Sequence, residues 1–231
     1  MNILITGANR GLGYEMAAEA LERGHHVLAG VRDTAGQGRL AELAKQYGER
    51  LELVRLDVTD EAEVAALAGT LREQGKAIGA IVNNAAILVE RNTAIEELNI
   101  EEVAKTFDIN LFGPMRVVKH FLPLVTEKQG AIINISSEAG SISNAYAGDY
   151  PYGISKTALN MFTQQLLSAV KERGIQVFSV HPGWMKTDMG GENAPTDPRQ
   201  SAKGILAMIE GRLVPKGRFN FVDYTGREMP I

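Results

Sequence analysis

The sequence predicts an α/β fold: a single doubly wound domain over residues 1–231, with a central parallel sheet of about seven strands and helices on both faces. Three observations predict it. Short apolar, β-branched runs recur along the chain, and they read as strands mostly buried on both faces. Amphipathic stretches of helical length separate them, the alternation expected of right-handed βαβ crossovers. The length, 231 residues, suits one sheet covered on both sides.

In chain order, "NILIT" (2–6) is the first strand and leads into a helix over 12–23 that ends at Gly24. "HVLAGVR" (26–32) follows, then a helix over 37–47. "LELVRLDV" (51–58) precedes a helix over 60–74, where Asp60 and Glu63 have the spacing of an N-cap and its N3 partner. "AIVNN" (80–84) comes next. The helical pattern over 99–125 opens with the same spacing, Asn99 and Glu102, and Pro114 inside it predicts a kink or a division. "AIINIS" (131–136) precedes a helix over 152–173 that stops at Gly174, and "IQVFSV" (175–180) follows. The stretch 183–200, "GWMKTDMGGENAPTDPRQ", has neither pattern and reads as a loop covering a substrate. A helix over 200–211 and the strand "RFNFV" (218–222) complete the series.

Composition removes several function classes. The net charge is −4, with basic and acidic residues interspersed, so nothing forms a footprint for a nucleic-acid backbone. No run has the apolar length of a membrane span, and "MNILITG" lacks the features of a signal peptide, so a cytoplasmic protein is expected. Cysteine is absent, which excludes disulfides, a thiol nucleophile and cysteine-based zinc sites. No metal site is expected.

Strand one runs into "TGANRGLG" (6–13) and then directly into a helix. Unpaired N–H groups and the helix dipole make such a turn an anion site, and a dinucleotide pyrophosphate suits it. Gly7 permits the tight turn, Gly11 close backbone approach, and Gly13 close packing of helix on strand. The spacing, G-x-x-x-G-x-G, departs from G-x-G-x-x-G by one residue. Strand two ends in "GVRD" (30–33), where Arg32, with Arg10 from the glycine turn, suits a 2′-phosphate, while Asp33 lies one residue beyond the place for a ribose-binding acid. NADP(H) is therefore favoured over NAD(H).

Small and polar residues gather at the ends of later strands: "VNNAA" (82–86), "NISSEAG" (134–140) and "VHPGW" (180–184). Ligands of doubly wound sheets bind beyond those ends. Tyr152 and Lys156 stand one helical turn apart, so an ammonium can lie beside the phenol and lower its pKa. Tyr150 is six residues from Lys156, about 600° around the helix, and off that face. Pro151 suits a first turn and disfavours helical backbone at Tyr150, with Asp149 as a nearby cap; Tyr150 is then a candidate wall of the substrate pocket.

"TGANRGLG", Asp57, "NNAA" (83–86), Asn110 in "NLFG", Ser137 in "NISS", "YGISK" (152–156) and "PGWMKT" (182–187) occur in the order seen in short-chain dehydrogenases/reductases, and the sequence resembles that family over nearly its whole length. Within the family it is most similar to the short, NADPH carbonyl-reductase-like members of the sniffer and C-factor-like group. The resemblance implies a Rossmann fold and carbonyl reduction of a ketone, aldehyde or quinone, with Tyr152 as proton donor and Ser137 polarising the substrate oxygen. Lys156 is implied to bind the nicotinamide ribose and lower the tyrosine pKa, and the backbone of Asn110 to hold a water in a proton relay. Cofactor contacts are implied at Gly7, Asn9, Arg10, Gly11, Leu12, Gly13, Arg32, Asp57, Val58, Asn84, Ala85, Ala86, Tyr152, Lys156, Pro182, Gly183, Met185 and Thr187, with Asn83 steadying the sheet. Ser136, adjacent to Ser137, points to the opposite face if the strand continues. Trp184, Met185 and Met189 offer apolar contacts to a substrate or packing for the loop. A homodimer or homotetramer through the helices around 99–125 and 152–173 is implied as well. A non-enzymatic NADP(H)-binding redox sensor, and an epimerase or dehydratase, are the alternative readings.

Overall fold

The computed structural model describes residues 1–35 and 38–231. Seven parallel strands form one sheet in the order β3-β2-β1-β4-β5-β6-β7. They are β1 (Asn2–Thr6), β2 (His26–Val31), β3 (Leu51–Arg55), β4 (Ala80–Asn83), β5 (Ala131–Ile135), β6 (Gln176–His181) and β7 (Phe221–Asp223). The helices are α1 (Gly11–Glu22), α2 (Arg39–Tyr47), α3 (Glu61–Glu73), α4 (Ile100–Phe107), α5 (Gly113–Phe121), α6 (Tyr150–Ala169) and α7 (Pro198–Ile209). The expected start of α2, at residue 37, lies outside the described residues.

Side chains alternate across the sheet because successive Cβ atoms of a strand point to opposite faces. Ile3 and Ile5 of β1 join Met16, Leu40 and Ile205 on one side. Leu4 joins Val64, Val117, Phe121 and Leu166 on the other. Thus α1, α2 and α7 cover one face and α3, α5 and α6 the second. The strand order reverses between β1 and β4, which pair directly, and this opens a crevice at their carboxyl ends.

The local signals act as their chemistry requires, with adjustments. Asp60 caps α3 by accepting from Glu63 N at 3.0 Å. The Glu63 carboxylate turns to Asp57 N (2.6 Å) and Arg55 Nε (2.7 Å) instead of closing a reciprocal box. Asn99 caps α4 through Glu101 N at 2.9 Å, one residue earlier than the spacing suggested. The predicted helix over 99–125 is divided, with a π-helical turn at Asp108–Phe112 between α4 and α5. Pro114 has no N–H for the carbonyl four residues back, that of Asn110, so an α-type bond there is impossible. Here the break is absorbed by the π-turn, in which Gly113 N donates to Asp108 O five residues back.

Two boundaries near the crevice differ from expectation. The helix α6 starts at Tyr150, with Pro151 in its first turn, because the N–H that proline lacks is one the helix leaves unpaired anyway. Asp149 precedes it in left-handed conformation (φ 46°) and makes no side-chain cap. The loop before α7 ends at Asp197, which caps that helix by accepting from Arg199 N at 2.9 Å. The loop also has order of its own: Lys186 N donates to Thr196 O and Thr196 N to Trp184 O, each at 3.0 Å. At the sheet's far edge the chain turns back on β7, with Asp223 N donating to Arg227 O (2.8 Å) and Met229 N to Phe221 O (2.9 Å).

Candidate active site

Two hollows flank the carboxyl ends of the strands. The first, of about 420 Å³, is bordered by Ser137, Tyr152, His181, Pro182, Trp184 and Met189, among others. The second, of about 710 Å³, lies over the glycine turn and is bordered by Asn9, Arg10, Gly11, Tyr14, Asp33 and Arg39. Thr187 belongs to the wall of both.

The glycine turn is built for close approach. Gly7 has φ 65° and Gly11 φ 53°, where a side chain is strained, and a Cβ on Gly7 would stand 3.0 Å from Ala85 Cα. A Cβ on Gly13 would strike the Gly7 carbonyl oxygen and come within 2.7 Å of Asn84 Nδ2. Asn84 holds the turn itself, its Nδ2 donating to Thr6 O (2.9 Å) and Gly7 O (3.1 Å). Ala85 N and Asn84 N both donate to Thr6 Oγ1 at 3.0 Å, and Ala86 follows at the crevice. Leu12 buries its side chain in the core, so it offers the turn only its backbone. No acidic residue stands in the first turn of α1 to oppose an anion.

Arg10 reaches across this hollow to Asp188 at 2.9 Å, an exposed pair that holds the loop only weakly. Arg39 was not anticipated. It borders the same hollow, lies 4.0 Å over the Tyr14 ring and pairs with Glu15 at 3.4 Å. Arg32 is exposed just past β2 and lies outside the lining of either hollow, as do Asp57 and Val58. The Asp57 carboxylate accepts from Thr59 N and Thr59 Oγ1 at 2.9 and 2.7 Å, and Val58 is buried. Asp33, expected to lie too far along, borders the hollow, with Oδ1 accepting from Ala35 N at 2.8 Å.

In the first hollow the structure brings Ser137 and Tyr152 together on one wall. The neighbouring Ser136 faces elsewhere, its Oγ donating to Asn160 Oδ1 on α6 at 2.7 Å. Lys156 is buried behind Tyr152: its Nζ stands 5.4 Å from the ring centroid and donates to Ile135 O at 2.7 Å. Burial brings its pKa down to about 7.

The expectation that Lys156 depresses the Tyr152 pKa is not met in this geometry. Burial dominates and raises it, the neighbouring Ser137 hydroxyl opposing and the nearby Asp149 charge adding to the rise. An ammonium that burial itself discourages, directed at a backbone carbonyl, gives the phenolate little help.

Tyr150 is not part of the wall either. Two residues from Tyr152 on a helix is about 200° of rotation, which turns it away. The tyrosine that borders the hollow besides Tyr152 is the half-exposed Tyr146, whose hydroxyl donates to Asp149 Oδ2 at 3.1 Å; partial burial first and the Asp149 charge second raise its pKa to about 12. Arg91 is a second lining residue that sequence reasoning missed, donating to Met189 O at 3.2 Å. Trp184 is half exposed and Trp184 Nε1 donates to Gly190 O at 2.7 Å, fixing the indole on the loop. Gly183 has φ 84° and packs on Thr196, so the turn after Pro182 needs glycine. Met185 packs against the core beneath the loop while also bordering the hollow.

Behind these residues lies a buried polar ladder. Asn83 Nδ2 donates to Asn134 Oδ1 (2.8 Å), and Asn134 Nδ2 and Ser179 Oγ donate to Thr163 Oγ1 of α6 (2.9 and 2.7 Å). It ties β4, β5 and β6 to α6. Asn110, fully buried in the π-turn, donates to Ile87 O (3.0 Å) and to Ser155 Oγ (3.1 Å), one residue from Lys156.

A parallel sheet of this order, with a glycine turn opening α1 at the switch point and a tyrosine, serine and lysine at the adjoining strand ends, defines a dinucleotide-binding α/β oxidoreductase. The family model described as short chain dehydrogenase matches residues 1–198. The chain belongs to the short-chain dehydrogenase family. It is 37% identical to C-signal of Myxococcus xanthus over 141 residues, 59% of this chain and 83% of that protein. Its structure is similar to carbonyl reductase Sniffer of D. melanogaster, with TM-score 0.92, 30% identity, and coverage of 100% of this chain and 99% of that one. It is similar also to NADPH-bound carbonyl reductase from chicken fatty liver, with TM-score 0.89, 31% identity, and coverage of 100% and 98%. Against several other curated relatives the chain spans about half of their length. Among the described residues, no helix is long and apolar enough to cross a membrane.

Proposed function

We propose that the chain is an NADPH-dependent carbonyl reductase acting on a ketone, aldehyde or quinone. The observation that carries this is the meeting of Ser137 and Tyr152 at one cavity, with Lys156 buried behind the phenol. The glycine turn fits a dinucleotide pyrophosphate, since it opens α1 with no acidic residue in the first turn to oppose an anion, and glycine lets its backbone pack tightly. Asn9, Arg10, Gly11 and Leu12 would hold the pyrophosphate side, with Ala85, Ala86, Pro182, Gly183, Met185 and Thr187 about the nicotinamide side and Asp57 and Val58 toward the adenine. Preference for the phosphorylated cofactor rests on Arg10 and Arg39 at the second hollow, joined by Arg32 from the strand end. The NADPH in the chicken carbonyl reductase supports the same reading.

When bound, the nicotinamide supplies a hydride to the carbonyl carbon. Ser137 then donates to the substrate oxygen and orients it toward Tyr152. Tyr152 carries its proton near neutral pH, as a phenol whose pKa burial raises must, and so is in the form a proton donor needs. Lys156, buried behind the phenol with its Nζ donating to Ile135 O, would hold the nicotinamide ribose. The proton is replaced through Asn110, whose carbonyl Pro114 leaves without an α-type partner. Phe112, Met115, Ile154 and Met161 expose apolar surface on and beside α5 and α6, which supports a homodimer or homotetramer through those helices.

Tyr152→Phe should leave NADPH affinity nearly unchanged while lowering turnover of a carbonyl panel by about a hundredfold or more, the range of general acid catalysis. Substantial turnover in this variant would sink the mechanism. Tight NADPH binding by the native chain without turnover of any carbonyl would bring the redox-sensor reading forward.

A further inference from the structure

His181 closes β6 and borders the first hollow, yet it has no part in the mechanism above. It stands beside the turn that carries Ser137. Ser136 N donates to Val180 O at 2.8 Å, so the two chain segments leave the sheet side by side. The turn after β5 is pinned at three points. At its start, Ser136 Oγ donates to Asn160. At its end, Gly140 O accepts from Thr157 Oγ1 (3.1 Å) and Asn160 Nδ2 (3.2 Å). In the middle, next to Ser137 itself, Glu138 N donates to His181 Nδ1 at 3.1 Å.

We propose that His181 is a positioning residue for Ser137, acting as a fixed hydrogen-bond acceptor for the Glu138 N–H. The proposal rests on Ser137 being the group that polarises the substrate oxygen. Acceptance at Nδ1 requires the neutral ring with its proton on Nε2. Protonation would place two N–H groups face to face and push Glu138, and with it Ser137, out of register. The surroundings favour the neutral form: burial lowers the His181 pKa, and the carboxylates of Glu138 on the turn and Asp223 on β7 oppose this only in part. Ser137 Oγ meanwhile accepts from Ala139 N at 3.2 Å, so its own orientation depends on the path of this short turn.

Asparagine places an acceptor oxygen close to the position of Nδ1, whereas leucine has none. His181→Leu should lower kcat by roughly ten- to a hundredfold, the scale of a misplaced reacting group, with NADPH affinity within about twofold of native. His181→Asn should recover most of that loss. It should also remove the acid limb of the native rate profile that comes from imidazole protonation. Ser137→Ala should cost much less in the His181→Leu background than in the native chain. Equal losses in the Asn and Leu variants, or full additivity with Ser137→Ala, would overturn the proposal. Nitrogen NMR of the native protein at pH 7.5 provides a test independent of turnover. A proton on Nδ1, or an imidazolium, would refute the proposal even if Ser137 proves essential, and an inactive Ser137→Ala with the Nε2–H tautomer intact would support both readings. Full activity of Ser137→Ala would overturn the mechanism and this proposal together, whereas refutation by the tautomer alone leaves the mechanism standing.

Discussion

Replacing Lys156 by methionine should make the protein more stable and catalytically inert. Burial carries the ammonium from its ordinary pKa of 10.5 down to about 7. At about 1.4 kcal/mol per pH unit, keeping this lysine in the fold costs about 4–5 kcal/mol at pH 7 relative to a solvated one. Methionine has similar length and no charge to desolvate, but it abandons the Ile135 carbonyl, a loss of about 1–3 kcal/mol. The net expectation is a gain of about 1–4 kcal/mol at pH 7, on the order of one molar in a urea midpoint. The sign with pH follows from the depressed folded value. Between pH 7 and 10.5 the unfolded chain binds the extra proton, so native stability rises with pH in that window and is lost as pH falls through it. The advantage of the methionine variant should therefore shrink by about 3 kcal/mol between pH 7 and 9.5, before the unfolded tyrosines ionise. Urea titrations of both proteins at the two pH values measure this directly. A variant no more stable than native at pH 7, or an advantage independent of pH, would refute the reasoning.

Gly13→Ala should destabilise the fold by about 1–3 kcal/mol and abolish NADPH binding, since the new methyl strikes the Gly7 carbonyl. Gly69→Ala, in α3 with nothing within 4 Å of its Cβ, should raise the thermal midpoint through a gain of about 0.5–1 kcal/mol. Arg39→Gln should weaken NADPH by about ten- to a hundredfold in a fluorescence titration and leave NADH almost unaffected, as expected for loss of a charge-assisted phosphate contact. Thr163→Val should cost about 1–3 kcal/mol in denaturant unfolding, because it leaves Asn134 and Ser179 without their shared partner in the core.

What the sequence reveals here follows from what each signal depends on. Most strands were legible because strands covered on both faces are largely apolar, and Asp60 and Gly24 marked helix ends through purely local chemistry, whereas Gly174 closes the 3-10 turn Lys171–Arg173 beyond the end of α6 at Ala169. Tyr152 and Lys156 were legible because one helical turn fixes their proximity. The direction of the Tyr152 pKa was not, since it depends on how much protein surrounds the phenol and on where the lysine directs its Nζ. Tyr146 and Arg91 reach the first hollow from irregular segments, and no period predicts their directions. Arg39 opens α2 well beyond the strand end at which a phosphate-binding arginine was sought, and only the fold brings it to the same hollow. The π-turn at Asp108–Phe112 was half legible: Pro114 announced a break, but a missing N–H leaves its form undecided.

The chain's return along β7 has a consequence for how copies of this molecule can meet. A parallel sheet that ends in a bare strand offers a row of N–H and C=O groups on which any extended segment can add itself. At this edge, Asp223 N and Met229 N already engage backbone carbonyls within the same chain, and Val222 bridges Glu228 in antiparallel sense. A neighbour arriving there meets a closed turn and finds no ladder to extend, so growth of the sheet from one molecule into the next is blocked on that side.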